Sequence, residues 1–219
     1  MKFGKIDFIN LLPFYVYMKK NVSSSQAKQM MNYKKSYPAQ INILFQRKEI
    51  DAAFISSIKS ENCSCLDLGI VAKNEVLSVL ALNGSYKKDY QSDTSNALAK
   101  VLNIQGEILI GDKALYHYHN CDKKDFVDLA KAWKEKYSLP FVFARLCFNG
   151  QNKSLNKLAK GFAKSNVKVP YYILNKYSKR SNLSNKQIKD YLTKISYTLG
   201  YKEKKSLKLF LKLLKNKGL

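Results

Sequence analysis

The run Gly4-Lys5-Ile6-Asp7-Phe8-Ile9-Asn10-Leu11-Leu12-Pro13-Phe14 constrains this chain more than any other stretch. Ile6 to Ile9 is weighted toward apolar residues and is expected as a strand. Asn10 is the first polar residue after it, and Pro13, with its fixed φ and no N–H to satisfy, suits the first turn of an amphipathic helix. A strand that passes into a helix through one polar side chain is the building unit of open α/β sheets. It sets an amide at the carboxyl end of a strand and beside free helix N–H groups, where such sheets bind small anions. The same residue type at the same place also serves as an ordinary helix cap. On local pattern alone both roles stand open for Asn10.

The unit recurs along the chain. Ile50-Asp-Ala-Ala-Phe-Ile55 reads as a buried strand ending on Ser56-Ser57, after a short helix that includes Ile41 to Phe45. Leu66 to Val71 and Leu77 to Leu82 read as strands, the second followed by a loop from Asn83 to Gln91. Ser92-Asp93-Thr94-Ser95-Asn96 then precedes the helical pattern Ala97 to Leu102. One Ser or Asp is enough to cap a helix, so the extra hydroxyls and amide suit either capping or an anion held at the helix N-terminus. Glu107 to Asp112 is expected as a strand ending in a tight turn, Asp128 to Lys136 as a helix and Leu139 to Phe148 as a long apolar strand. The polar stretch Asn21 to Ala27 reads as a loop. From Asn152 onward the periodicity is helical, and the basic amphipathic helix Glu203 to Asn216 is expected to pack its Leu/Phe face on its own domain rather than on a membrane.

Composition narrows the functions available. The 46% hydrophobic content excludes wholesale disorder, and no run reaches the roughly 20 apolar residues of a membrane span. The chain begins directly in its first strand, without the pattern of a secretion signal, and a cytoplasmic location without stable membrane association is expected. Cys63, Cys65, Cys121 and Cys147 fit that compartment, because only Cys63 and Cys65 are close and no CxxC occurs. No metal site and no redox cofactor motif is read from the sequence. His117 and His119 would point to different faces of a helix and are expected at the surface. The net charge of +23 invites a nucleic-acid reading, yet the cations are scattered and nearly all Lys. Only Arg47, Arg145 and Arg180 offer a guanidinium fork. No nucleic-acid partner is expected; a positive field also draws in a small dianion. Oligomeric state is not legible.

Taken in order, Lys5 to Pro13, Ile50 to Ile58, Ser78-Val79, Ser92 to Leu98, Ile110-Gly-Asp-Lys-Ala-Leu115 and Leu139-Pro-Phe-Val-Phe-Ala144 resemble one family, the chorismate dehydratases of the futalosine route to menaquinone. The matches run from about residue 4 to residue 145, and Tyr197-x-Leu199-Gly200 before a Glu/Lys-rich helix is similar to the family's C-terminus. The chain is short for the family, Tyr33 to Arg47 matches only loosely, and the loop Asn83 to Gln91 diverges. The resemblance implies an α/β, two-lobed periplasmic-binding-protein type II-like fold with a cleft between the lobes. Residues 1–79 plus 147–219 are expected to form lobe one and residues 80–146 lobe two, with Leu77–Leu82 and Phe141–Phe148 as crossing strands.

The resemblance also implies a reaction without a cofactor. Chorismate loses water to give 3-[(1-carboxyvinyl)oxy]benzoate, and the ring becomes aromatic. Asn10 and Asp112 are the expected catalytic residues, with Ser56, Ser57, Ser78, Thr94, Ser95, Asn96 and Gly111 around the substrate. An amide is no general base at neutral pH. The base is therefore either the substrate's own enolpyruvyl carboxylate, held by Asn10, or Asp112, which could otherwise stabilise a turn after Gly111. Two alternatives are a lyase resembling 1,4-dihydroxy-6-naphthoate synthase, whose histidine base has no matching context at His117 or His119, and a non-catalytic anion-binding protein of the same fold.

Overall fold

A computed structural model describes residues 1–22, 33–151 and 153–218. The first strand, β1 (Phe3–Ile6), ends three residues before its expected limit. The Ile6 N–H donates to the Tyr15 hydroxyl at 3.1 Å instead of to a strand, and the chain then winds into a turn of 3-10 helix, Ile9–Leu11, closed by Leu11 N–H on the Phe8 carbonyl. Asn10 thus sits inside that turn, and α1 (Leu12–Asn21) follows with its proline in the first turn. Asn21 closes α1 instead of opening a loop, and the rest of that expected loop, Ser23 to Ala27, lies outside the described residues.

A strand that apolar patterning does not announce follows, β2 (Tyr33–Ser36), parallel to β1 at the sheet's edge. An edge strand tolerates lysines such as Lys34 and Lys35, and they discourage pairing with another chain. The helix α2 (Pro38–Gln46) leads to β3 (Ala52–Ser56), buried at every position, and a 3-10 turn at Ser57–Lys59. Next come β4 (Cys65–Ala72), β5 (Val79–Leu82), α3 (Asp93–Leu102) and β6 (Glu107–Ile110). The helix α4 (Gly111–Asn120) starts directly on β6, so the expected tight turn is absent. Gly111 makes the junction at φ +64°, and a Cβ there would meet the Phe8 ring at 3.0 Å, so only glycine fits both. The remainder is β7 (Phe126–Asp128), α5 (Leu129–Tyr137), β8 (Phe141–Phe148), α6 (Lys153–Ala163), α7 (Tyr171–Ser181), α8 (Asn185–Lys194), β9 (Ile195–Thr198) and α9 (Tyr201–Asn216). Both β7 and β9 are additions to the expected pattern, and β9 interrupts a stretch expected to be helical.

The strands form two sheets. Six strands run in the order β2-β1-β3-β8-β4-β9, and three in the order β6-β5-β7. Along its length β8 pairs antiparallel with β3 and β4, while β5 pairs only with β6 and β7. The chain crosses between the sheets before Val79 and again before Phe141. The first crossing is clamped by Asp128: one carboxylate oxygen accepts the Val76 and Leu77 N–H groups at 2.9 and 2.7 Å, and the other accepts those of Ala130 and Lys131 at 2.9 and 3.0 Å. One side chain caps α5 and holds Leu77 at φ +60°.

A single large apolar core reaches both sheets. Trp133 is fully buried, packs on Phe141 and Phe210, and donates its indole N–H to Ser206 at 3.0 Å. Phe210 and Leu214 of α9 are buried there too, so the basic helix does pack on its own domain. Cys65 and Cys147 face each other across the β4–β8 ladder and are joined by a disulfide. That pair departs from the reduced thiols a cytoplasmic compartment implies; Cys63 and Cys121 are free. Among the described residues, no helix is long and apolar enough to cross a membrane.

Candidate active site

Between the two sheets lies a cavity of about 70 Å³. Its polar lining is Asn10 from the first 3-10 turn, Ser56 from the end of β3, Ser78 from the first crossing, Ser92 and Ser95 from the N-terminus of α3, and Gly111 from the N-terminus of α4. Phe8, Phe54 and Phe143 supply aromatic walls, and no lining side chain carries a charge. Negative charge in such a space is met by hydroxyls, an amide and the positive ends of two helix dipoles. Ser92 caps α3 by accepting the Ser95 N–H at 3.2 Å, and its hydroxyl donates to Ser95 Oγ at 2.8 Å, which frees the Ser95 proton for another acceptor.

Of the nine residues expected at the site, Asn10, Ser56, Ser78, Ser95 and Gly111 line the cavity. The other four support it or stand apart. Ser57 turns away and donates to the Val142 carbonyl at 2.5 Å, tying β3 to β8. Asn96 accepts the Asp89 N–H and donates to the Asp89 carbonyl, which fixes the loop before α3. Thr94 is buried, with its hydroxyl oxygen unpartnered among the described residues. Asp112 accepts the Ile9 N–H at 3.2 Å and pairs with Arg180 at 2.5 Å. Burial pushes its carboxyl above the usual carboxylate range, against the pull of the Arg180 guanidinium.

Arg180 also holds the carboxylate and carbonyl of Asp7 at 3.0 and 2.8 Å, and Tyr177 donates to the same Asp7 carboxylate. One arginine of α7 thus fastens the start of α4 to the turn that carries Asn10. Asn42 is a second such link: its amide donates to Ser56 Oγ at 2.6 Å and accepts the Ser56 N–H at 3.1 Å. His117 and His119 do not line the cavity and are half-buried on α4, where His117 stacks edge-on to Phe126.

The side chain of Asn10 makes no cap hydrogen bond to either neighbouring helical segment, so its second possible role falls away. Its side chain lies near the hydroxyl of Tyr191. Tyr191, fully buried on α8, donates to Ser78 Oγ at 2.9 Å. Tyr197 of β9 donates to the Asn10 carbonyl at 2.6 Å. The Asn10 Oδ1 is buried and unpartnered among the described residues. Tyr191, Tyr197 and Arg180 are neighbours of this site that sequence reading misses, since nothing local ties the C-terminal elements to the first turn.

The family described as menaquinone biosynthesis matches residues 80–216. A chorismate dehydratase of Campylobacter jejuni is 46% identical over 219 residues, which is 98% of each chain. In fold, the chain is similar to a crystal structure of a protein from Archaeoglobus fulgidus, with a TM-score of 0.69 at 11% identity over 99% of this chain and 97% of that one. It is also similar to a Candida albicans protein with the generic periplasmic binding protein fold, at TM-score 0.52 and 12% identity over 99% and 90%. The fold likeness establishes a two-sheet binding-protein architecture, and near-full-length identity with the enzyme goes further: the chain belongs to the menaquinone-biosynthesis family that includes chorismate dehydratase.

Proposed function

We infer that this protein is a dehydratase that removes water from chorismate to give 3-[(1-carboxyvinyl)oxy]benzoate. Beyond family membership, one observation carries the reading: an uncharged cavity receives the N-termini of α3 and α4 together with an amide and three serine hydroxyls besides Ser56. A substrate with two carboxylates and one hydroxyl matches that set of donors and acceptors. In the reaction the C3–H bond breaks, its electron pair forms the C3–C4 double bond, and the C4–O bond breaks. The base that takes the C3 proton passes it to the departing hydroxide, which leaves as water, so the base is regenerated. Aromatisation drives the step, so the protein has to hold the pose and start the elimination.

No lining side chain is a competent base, and Asp112 is engaged by Arg180 and the Ile9 N–H. The reading therefore gives proton abstraction to the substrate's enolpyruvyl carboxylate, and to Asp112 the task of fastening α4 to the Asn10 turn. Ser92 and Ser95 at the N-terminus of α3 serve one carboxylate, with Ser56 and the Gly111 end of α4 near the other; Thr94, Asn96 and Ser57 shape this wall from behind. We further propose that the two lobes divide where the sheets divide, β8 moving with the first, and that the enzyme works in the cytoplasm.

Purified protein incubated with chorismate, without added metal or cofactor, is expected to convert it stoichiometrically to the enolpyruvyl benzoate, followed by chromatography with mass detection. Unchanged chorismate from folded protein refutes the reading. Asp112→Asn keeps an acceptor for the Ile9 N–H and loses the charge pair, so kcat is expected to fall by less than about tenfold. A loss of about 10³-fold with substrate binding intact would make Asp112 the base.

A further inference from the structure

Asn42 lies on α2 one turn after Pro38, which lines the cavity, and its side chain is buried against Ser56. A backbone N–H can only donate, so the atom 3.1 Å from the Ser56 N–H is the Asn42 amide oxygen. The NH2 group is thereby turned to Ser56 Oγ, to which it donates at 2.6 Å. The same NH2 group has the carboxylate of Asp93, the first residue of α3 in the opposite wall, 3.5 Å away. One amide therefore holds Ser56 at two points and reaches across to the helix whose N-terminus carries Ser92 and Ser95. Ser56 Oγ already accepts from Asn42, and its own proton has no acceptor among the described residues. Ser56 lines the cavity, so that proton is offered to whatever occupies it.

We propose that Asn42 is a positioning residue that sets Ser56 as a hydrogen-bond donor, and that the group Ser56 serves is the ring carboxylate of the substrate. The proposal rests on the dehydratase reading. A free serine hydroxyl rotates and both donates and accepts; with an NH2 group on one lone pair, its proton is turned away from α2. A carboxylate only accepts, so it matches a donor held this way, and a hydrogen bond to a charged group is roughly twice as strong as a neutral one. A donor fixed on the carboxylate that takes the C3 proton would weaken it as a base, which leaves the ring carboxylate as the fit. That group keeps its charge throughout the elimination. The Ser56 bond therefore serves ground state and transition state alike, and its loss is read in KM and not in kcat. Asn42 does not line the cavity, so its effect passes through Ser56.

Asn42→Asp tests the polarity directly. An ionised carboxylate at this position still accepts the Ser56 N–H but takes the Ser56 proton for itself, whereas a protonated carboxyl donates to Ser56 Oγ as the amide does. Burial and the Asp93 carboxylate, the charged group in contact with Asn42 among the described residues, raise the new carboxyl into the working pH range. The ratio of KM for chorismate, Asn42→Asp over wild type, is expected to climb by about tenfold or more between about pH 5.5 and about pH 8.5, with the kcat ratio within about threefold at each pH. Taking the ratio at each pH removes titration common to both proteins. A flat KM ratio, or a loss that falls on kcat, overturns the proposal. If Asn42→Asp does not fold, Asn42→Ala, Ser56→Ala and the double variant decide. Each single change is then expected to raise KM by about 10- to 30-fold, and the double variant to be within about threefold of the worse single one, as for groups that act as one unit. Losses that multiply show that Asn42 acts independently of Ser56 and overturn the proposal. Wild-type protein that leaves chorismate unchanged overturns the dehydratase reading instead, and that result is visible before any variant is made.

Discussion

Asn10→Ala is expected to lower kcat on chorismate by about 10³-fold, with the fold intact. The first half of this expectation follows from what the amide touches. It lines an uncharged cavity, and its oxygen is buried without a partner among the described residues. A group held in register with the reacting atoms supplies orientation that a methyl group cannot, and removal of one preorganised polar contact typically costs 10²- to 10³-fold in rate. The second half follows from what the amide does not touch. It caps neither the 3-10 turn nor α1, and the turn is closed through backbone groups and the Tyr197 contact to the Asn10 carbonyl, which alanine retains. The loss of stability should stay near 1 kcal/mol, a shift of about 2–4 °C in Tm for a chain of this size. Steady-state rates with a parallel thermal melt check both halves. Turnover near wild type refutes the catalytic placement, and a large fall in Tm would mean that Asn10 serves the fold.

Much of this site is legible in sequence because it is built from local units. Ser92 to Asn96 announces a helix N-terminus, Ser56 ends a strand of buried residues, and Gly111 occupies a junction that needs a positive φ, so each position follows from its immediate neighbours. What is not legible is which hydroxyl of a cluster points inward. Ser57 and Ser56 are adjacent in a chain that reverses the side-chain direction at each residue, and only Ser56 reaches the cavity. The same alternation of faces on α3 brings Ser92 and Ser95 to the cavity and sends Asn96 to Asp89. Asp112 illustrates a different limit. Its sequence context is equally suited to a base or a structural carboxylate, and the deciding partner, Arg180, lies 68 residues away on a helix that the apolar pattern does not mark. Long-range pairs also explain β2 and β9, edge strands whose residues need no alternating apolar face because only one neighbour pairs with each.

Asp128→Ala is expected to destabilise the protein by about 4 kcal/mol and to lower Tm by about 8–16 °C, measured by thermal and urea unfolding. Asp128 is buried, and its two oxygens are the acceptors for four backbone N–H groups, two at the start of α5 and two in the crossing between the sheets. Alanine removes all four bonds at once. The α5 donors can recover part of the loss by reaching water, as at other uncapped helix starts, at a cost of about 1 kcal/mol. The Val76 and Leu77 donors are enclosed, and each buried donor left without a partner costs about 1–3 kcal/mol. Leu77 also sits at φ +60°, a conformation that a non-glycine residue keeps only while something holds it. Releasing it frees the segment that carries Ser78, so kcat on chorismate should fall as well, even at temperatures where the variant is folded. Asp128→Asn retains one acceptor oxygen but turns an NH2 group toward two N–H donors, so it should rank between wild type and alanine in Tm. A variant Asp128→Ala that melts within about 3 °C of wild type would show that the crossing is held by its apolar contacts and not by this carboxylate.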